Sequence, residues 1–355
     1  ENIFLGREPK NKFGVDDRKT LREQAVALLE PLNLKIDPKE KVKRLSIGQK
    51  QMVEIAKALS LEAELIIMDE PTDALTDQET EALFTLIRQL RESGKSIVYI
   101  SHRLKEIFEI CDDVTILRDG QFIAEKKVSE IDEDHLIEMM VGRKLEEQYP
   151  YKKDHAGVVM LEVKGLGNEH VQDISFDLHK GVIMGVAGLM GAGRTELAKS
   201  LYGHFKVREG ELILGGEVVR FKSEKDAIHA GVSYVSEDRK KDGLILGMSV
   251  KENISIASLA QLSKATVIDR SLENKKAKEY IEHLSIKTPS INQKAKNLSG
   301  GNQQKVSISK SIMTAPKVLI LDEPTRGVDV GAKKEIYDLM NRFKSQGMCI
   351  LMISS

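Results

Sequence analysis

The sequence predicts an α/β fold built on parallel sheets, and predicts it twice over. Leu45-Ser46-Ile47-Gly48-Gln49 followed by Ile66-Ile67-Met68-Asp69-Glu70-Pro71-Thr72 returns as Leu298-Ser299-Gly300-Gly301-Asn302 followed by Leu319-Ile320-Leu321-Asp322-Glu323-Pro324-Thr325. The offset is 253 residues at both motifs (298 less 45, 323 less 70) and still holds from Gly94 to Gly347, which marks an ungapped internal duplication. Short apolar runs alternate with helical stretches in both halves, the order that gives parallel strands joined by right-handed crossovers. In the second half a glycine-rich turn follows one such run and opens a helix.

The elements can be taken in chain order. Leu21, Ala25, Leu28, Leu29 and Leu32 have helical spacing and predict a helix over 20–32. The Leu45 motif opens a helix to Leu59, 65–68 reads as a buried strand, 79–92 as a helix, 97–100 as a second strand and 104–110 as a helix. Residues 114–124, interrupted by Asp119-Gly120, read as a hairpin. Residues 144–157, with Tyr149-Pro150 and many charges, read as a linker. In the second half, strands alternate from Val158 to Phe176, 182–187 is an apolar strand, and 196–201 is a helix. Residues 223–297 read as mostly helical, an inserted subdomain. The expected domains are therefore 1–143 and 158–355.

Composition narrows the function. With 355 residues, 41% hydrophobic and 31% charged, the chain suits two globular domains. A formal net charge of −1 offers no electrostatic case for nucleic acid as a partner. Cys111 and Cys349 are too few for a disulfide framework or a four-ligand zinc site. The longest apolar run, 348–353, is far short of the ~20 residues that span a bilayer, so any membrane role comes through a partner. Glu1-Asn2-Ile3 matches Glu252-Asn253-Ile254, and what precedes Glu252 has no counterpart in the first half. The chain is therefore expected to be a fragment, lacking a first phosphate loop and ending at Ser355.

The motifs point to nucleotide chemistry. Gly188-Leu189-Met190-Gly191-Ala192-Gly193-Arg194-Thr195 has phosphate-loop spacing, with arginine in the lysine place, and Glu196 continues into the helix. Glycines there let backbone N–H groups turn toward phosphate oxygens, the helix N-terminus adds a positive end, and the Thr195 hydroxyl suits Mg²⁺. A guanidinium at Arg194 can pair with phosphate but is bulkier and forked. Asp69-Glu70 and Asp322-Glu323 leave the C-terminal ends of strands, where α/β ligand sites lie. The first acid of each pair suits Mg²⁺, and the second suits orienting the attacking water. Ser46, Gly48, Ser299, Gly300 and Gly301 begin helices and offer further backbone amides to an anion. His102 stands 32 residues after Glu70, and the same position in the second half is Ser355, so an imidazole contact to the γ-phosphate is expected in one half only.

Taken together, these residues resemble the ATPase subunits of ABC transporters: a P-loop NTPase fold with two tandem ABC-type nucleotide-binding domains, each a parallel-sheet core with a helical subdomain. The segments 188–196, 236–240 (Ser-Glu-Asp-Arg-Lys) and 297–305 are similar to those of monosaccharide importers for ribose, galactose, xylose and arabinose. Residues 139–146 and Gln148-Tyr149-Pro150 most resemble ribose importers. The resemblance implies ATP and Mg²⁺ as cofactors, integral membrane permease subunits as partners, a periplasmic sugar-binding protein acting indirectly, and a peripheral place on the cytoplasmic face of the bacterial inner membrane. It implies that two halves close head to tail around two ATP molecules, and that Glu237 stands where such ATPases usually carry a glutamine that reaches Mg²⁺ and the permease. Composing the sites adds an expectation: the one using Asp69, Glu70 and His102 with Ser299, Gly300 and Gly301 hydrolyses, while the one using Gly188 to Thr195, Asp322 and Glu323 with Ser46 and Gly48, and carrying Arg194, Glu237 and Ser355, mainly holds ATP. Asp329 is expected to reach across the closed pair, where the first half has Thr76. Importers of another sugar or signalling sugar, ribosome-acting or DNA-repair ABC ATPases, and a non-hydrolytic regulator are the alternatives.

Overall fold

A computed structural model of the chain describes residues 1–32, 36–61, 63–72, 75–118, 120–142, 156–188, 191–264 and 266–354. The chain divides into two compact units, Glu1–Lys144 and Leu145–Ser355. The expected linker falls almost wholly outside the described residues, as does Ser355.

The first unit runs α1 (Arg18–Leu29), α2 (Ile47–Leu59), β1 (Leu65–Asp69), α3 (Asp77–Glu92), β2 (Ser96–Ile100), α4 (Leu104–Ile110), β3 (Asp113–Arg118), β4 (Gln121–Lys127) and α5 (Glu133–Val141). Caps set the helix limits. The Asp17 carboxylate accepts from the Lys19 and Thr20 N–H groups, so α1 starts before Thr20. Pro31 follows within two residues of its end, so α1 stops short of the expected Leu32. Ser46 with Gln49, and Thr76 with Glu79, close capping boxes at α2 and α3. β1 and β2 pair in parallel from Leu65↔Ser96 to Asp69↔Ile100. Met52, Ala56 and Leu83, all 0% exposed, centre the core beneath them.

The second unit opens with β5 (Val159–Gly167), β6 (Ile174–His179), β7 (Ile183–Ala187), α6 (Arg194–Leu201), β8 (Glu209–Leu214), β9 (Glu217–Val219), α7 (Glu224–Ala230) and β10 (Val232–Val235). It continues with α8 (Val250–Ser255), the two-residue strands β11 (Ser263–Lys264) and β12 (Val267–Ile268), then α9 (Arg270–His283), α10 (Gly300–Ile312), β13 (Val318–Asp322), α11 (Val330–Ser345) and β14 (Cys349–Ser354). A parallel sheet in the order β10-β13-β14-β7 and an antiparallel sheet in the order β6-β5-β8-β9 frame it.

The stretch 223–297 is mostly helical, as expected, but Val232-Ser233-Tyr234-Val235 within it forms the edge strand β10 against β13. Four residues are too few to display a period, and Gly231, left-handed at φ 99°, ends α7 directly before them. The β8–β9 hairpin, turned by left-handed Gly215 and Gly216, also escaped the sequence reading.

The duplication recurs in three dimensions. α2 and α10, β1 and β13, and α3 and α11 begin 253 residues apart and have equal lengths of 13, 5 and 16 residues. Thr76 and Asp329 are the N-caps of α3 and α11. Among the described residues no helix is long and apolar enough to cross a membrane.

Candidate active site

In each unit the second acid of the Asp-Glu pair sits immediately after a parallel strand in a left-handed backbone conformation, φ 47° at Glu70 and φ 44° at Glu323. The same hydrogen bond fixes both: Glu70 N–H donates to the Ile100 carbonyl at 2.9 Å, and Glu323 N–H to that of Ile353 at 3.0 Å. Such strain in a non-glycine residue collects at functional sites. It turns each carboxylate out beyond the C-terminal edge of its strand.

What each acid meets differs. In the first unit Nδ1 of His102 lies 2.7 Å from Oε2 of Glu70, and the His102 backbone N–H approaches the same oxygen at 3.4 Å. The acid and the histidine expected at the γ-phosphate thus form one pair, suited to holding a water beside a phosphoryl group. In the second unit Glu323 faces Arg194, with Nη1 to Oε1 at 3.5 Å and both side chains mostly buried. That Nη1 is buried and makes no hydrogen bond, so the ion-pair contact with Glu323 leaves its donor capacity unfilled.

The glycine turn leads directly into Arg194. Gly191 and Gly193 are left-handed at φ 82° and 83°, and Gly193 caps α6, so Arg194, Thr195 and Glu196 form its first turn. A Cβ on Gly188 would lie 3.3 Å from that of Ala192 and 3.5 Å from Arg194 Cδ, a loop closed tightly on itself. Leu189 and Met190 lie outside the described residues. Asp322 is wholly buried: Oδ2 accepts from the Tyr234 hydroxyl at 2.9 Å, while Oδ1 has no partner. Burial, and then the Asp322 charge, push the Tyr234 phenol well above its usual range, so it remains a donor. A partnerless carboxylate oxygen with the half-buried Thr195 hydroxyl fits a hard cation such as Mg²⁺. No cluster of three or more His, Cys, Asp or Glu suited to a metal occurs among the described residues, so phosphate and water would complete its shell.

The signature segments lie at helix N-termini, as expected. The Ser46 hydroxyl accepts from Gln49 N–H at 3.1 Å, whereas Ser299 accepts from Asn302 Nδ2 at 2.9 Å. Gly48 is buried in the first turn of α2. Packing also dictates two of these glycines. A Cβ on Gly301 would stand 2.5 Å from that of Ala332, and one on Gly300 would stand 2.7 Å from the Gly327 carbonyl. Glu237 pairs with Arg326.

The sequence model of the ABC transporter family, described as "ABC transporter", matches residues 4–73 and 171–326. The chain belongs to that family. This ABC ATPase binds an adenine nucleotide and hydrolyses ATP. Among solved structures it is similar to a nucleotide-free ATP-binding cassette from an ABC transporter, at 23% identity and TM-score 0.49 over 56% of this chain and 82% of that one. It is also similar to a dimeric bacterial ABC transporter cassette (18% identity, TM-score 0.48, 55% of this chain and 88% of that one). A third is cbiO1 from Clostridium perfringens, part of the ABC transporter complex cbiONQ (20% identity, TM-score 0.47, 56% and 78%).

The structure adds residues of the ABC ATPase that motif reading missed. Arg239, mostly buried, donates through Nη1 and Nη2 to the Arg326 and Gly327 carbonyls at 2.6 and 2.8 Å, tying the Ser-Glu-Asp-Arg-Lys segment to the turn after Pro324. Tyr234 also borders a groove of about 650 Å³ whose walls include Tyr202, Glu224, Lys241, Ile256 and Lys310. Arg239 lay inside the Ser-Glu-Asp-Arg-Lys segment, but its carbonyl partners are 87 and 88 residues away, and four-residue β10 gave no signal for Tyr234.

Proposed function

We propose that this ABC ATPase is the energy-coupling subunit of a monosaccharide importer, ribose being the first candidate, built of two tandem ABC domains of unequal catalytic power. The sugar rests on the segments 139–150, 188–196, 236–240 and 297–305. The asymmetry rests on one observation: Glu70 has an imidazole partner, whereas Glu323 has the guanidinium of Arg194.

The chemistry assigned to each group follows from its surroundings. Backbone N–H groups of Gly191, Ala192 and Gly193, the N-terminus of α6 and Arg194 bind phosphate oxygens. Arg194 must leave Glu323 to do so. Thr195 and Asp322 in one half, and Asp69 in the other, would hold Mg²⁺, which would supply charge neutralisation at the phosphates. Glu70 orients and accepts a proton from the attacking water, and His102, which fixes the rotamer of that carboxylate, is assigned to the γ-phosphate side of the site. The first turns of α2 and α10, at Ser46, Gly48, Ser299, Gly300 and Gly301, are assigned to further phosphate contacts. Glu237 and the groove beside it are assigned to a membrane permease, because Tyr234 links that groove to Asp322. A periplasmic binding protein would select the sugar, and the subunit would sit peripherally at the cytoplasmic face of the inner membrane.

The test is steady-state hydrolysis by the complete transporter. Glu70→Gln is expected to lower turnover by ~10²–10⁴-fold, the usual cost of losing a general base, whereas Glu323→Gln retains much of it. Equal losses would remove the asymmetry. Stimulation of ATP turnover by a galactose-binding protein, and not by a ribose-binding one, would replace the sugar.

A further inference from the structure

Glu106 is a charged residue only 7% exposed, in the first turn of α4, and it belongs to no motif. Three hydroxyls converge on its carboxylate. Thr72 Oγ1 donates to Oε1 at 2.6 Å, and Tyr99 Oη and Ser101 Oγ each donate to Oε2 at 2.8 Å. Arg103 Nη1 stands 3.6 Å from Oε1. Burying a carboxylate is costly unless its lone pairs are filled, and here both oxygens are engaged.

The position of the donors gives the arrangement its meaning. Thr72 is two residues beyond Glu70, with Pro71 between them, and is 0% exposed. Ser101 immediately precedes His102. Tyr99 lies in β2, whose last residue, Ile100, accepts from Glu70 N–H. One carboxylate thus grips both chain segments that carry the Glu70–His102 pair. Two of the three donors differ at the corresponding positions of the second unit, while Ser354 matches Ser101. Met352 stands 253 residues after Tyr99 and has no hydroxyl, and Thr325, the counterpart of Thr72, is only partly buried.

We infer that Glu106 is a positioning residue for ATP hydrolysis: it holds the Thr72 and Ser101 segments so that Glu70 and His102 keep their 2.7 Å contact through the reaction cycle. The inference rests on the reading of Glu70 as the residue that orients water. It predicts an effect on the chemical step rather than on nucleotide binding, because none of the groups it touches is assigned to the phosphates.

The experiment measures ATP turnover by the complete transporter. Glu106→Ala lowers kcat about 10- to 100-fold, the scale of a small misplacement in an active site. It leaves KM for ATP within about twofold and adds nothing in a Glu70→Gln background, where the residue it positions is already disabled. Glu106→Gln, of equal size and with one acceptor oxygen kept, recovers part of the loss. If Glu106→Ala does not fold, Thr72→Val and Ser101→Ala each delete one donor, and each lowers kcat roughly 2- to 10-fold, the worth of one hydrogen bond. Full kcat in all of these variants, with turnover lost in Glu70→Gln, overturns the inference. So does a parallel fall of kcat, ATP affinity and thermal midpoint, which assigns Glu106 to folding alone. Turnover surviving Glu70→Gln instead overturns the reading on which the inference rests.

Discussion

Asp322 shows what it costs to bury a carboxylate at the end of a strand. It lies at the end of β13, 0% exposed, with one carboxylate oxygen unpartnered and the other held by the Tyr234 hydroxyl. A hydrogen bond to a charged group is worth ~1.5–3 kcal/mol, and deleting the donor leaves the carboxylate to bear its desolvation. Tyr234→Phe is therefore expected to destabilise the protein by about 1–3 kcal/mol, read as a lower urea midpoint with unchanged slope. An unchanged midpoint would mean that the carboxylate finds another donor. Mg²⁺ would offset part of this loss, because it supplies the free oxygen with a partner. The same logic explains why Glu70 and Glu323 tolerate left-handed backbone, which costs an L-residue on the order of 1–2 kcal/mol. Strain is retained where it aims a carboxylate.

Equivalent strands in the two units bury different amounts of surface. Ile67 in β1 is 65% exposed, whereas Ile320, 253 residues on in β13, is 0% exposed within a cluster that includes Leu161, Leu197 and Leu351. Ile320→Ser should accordingly cost about 3–5 kcal/mol, for lost burial, a cavity and a stranded hydroxyl. Ile67→Ser in this chain should stay within about 0.5 kcal/mol of the parent. Similar losses in chemical denaturation would show that both faces are covered in solution. This contrast also marks what the sequence could reveal. Apolar runs gave β1, β2, α2, α3 and α4 to within two residues, because strand length and helical spacing are local signals, whereas α3 starts two residues early at its Thr76 cap. Likewise, spacing alone placed the Asp-Glu pairs at strand ends and the glycine turn before a helix. Pairing with distant chain is not local, so β10, the β8–β9 hairpin, the Arg194–Glu323 contact and the Glu106 cluster became visible only in three dimensions.

For the molecule as a whole, the governing quantity is charge. ATP is a polyanion, yet the formal net charge of −1 provides no long-range attraction. The proposed reading therefore concentrates affinity in the loop amides, the N-terminus of α6 and the guanidinium of Arg194, whose buried Nη1 has no hydrogen bond of its own. Because a ligand that binds only the folded state raises stability by mass action, this concentration can be read on the intact protein. Saturating Mg²⁺-ATP, at about 100 times its dissociation constant, should add about 2.7 kcal/mol, seen as a higher thermal midpoint in calorimetry. Arg194→Ala should shrink that rise at the same ATP concentration, and chelating Mg²⁺ should shrink it in the parent as well. The parent's Mg²⁺-ATP response should depend little on salt, since a partly buried guanidinium is poorly screened. A full thermal shift in Arg194→Ala would move the anion-binding role away from this loop, and a steep salt dependence would place it on exposed lysines instead.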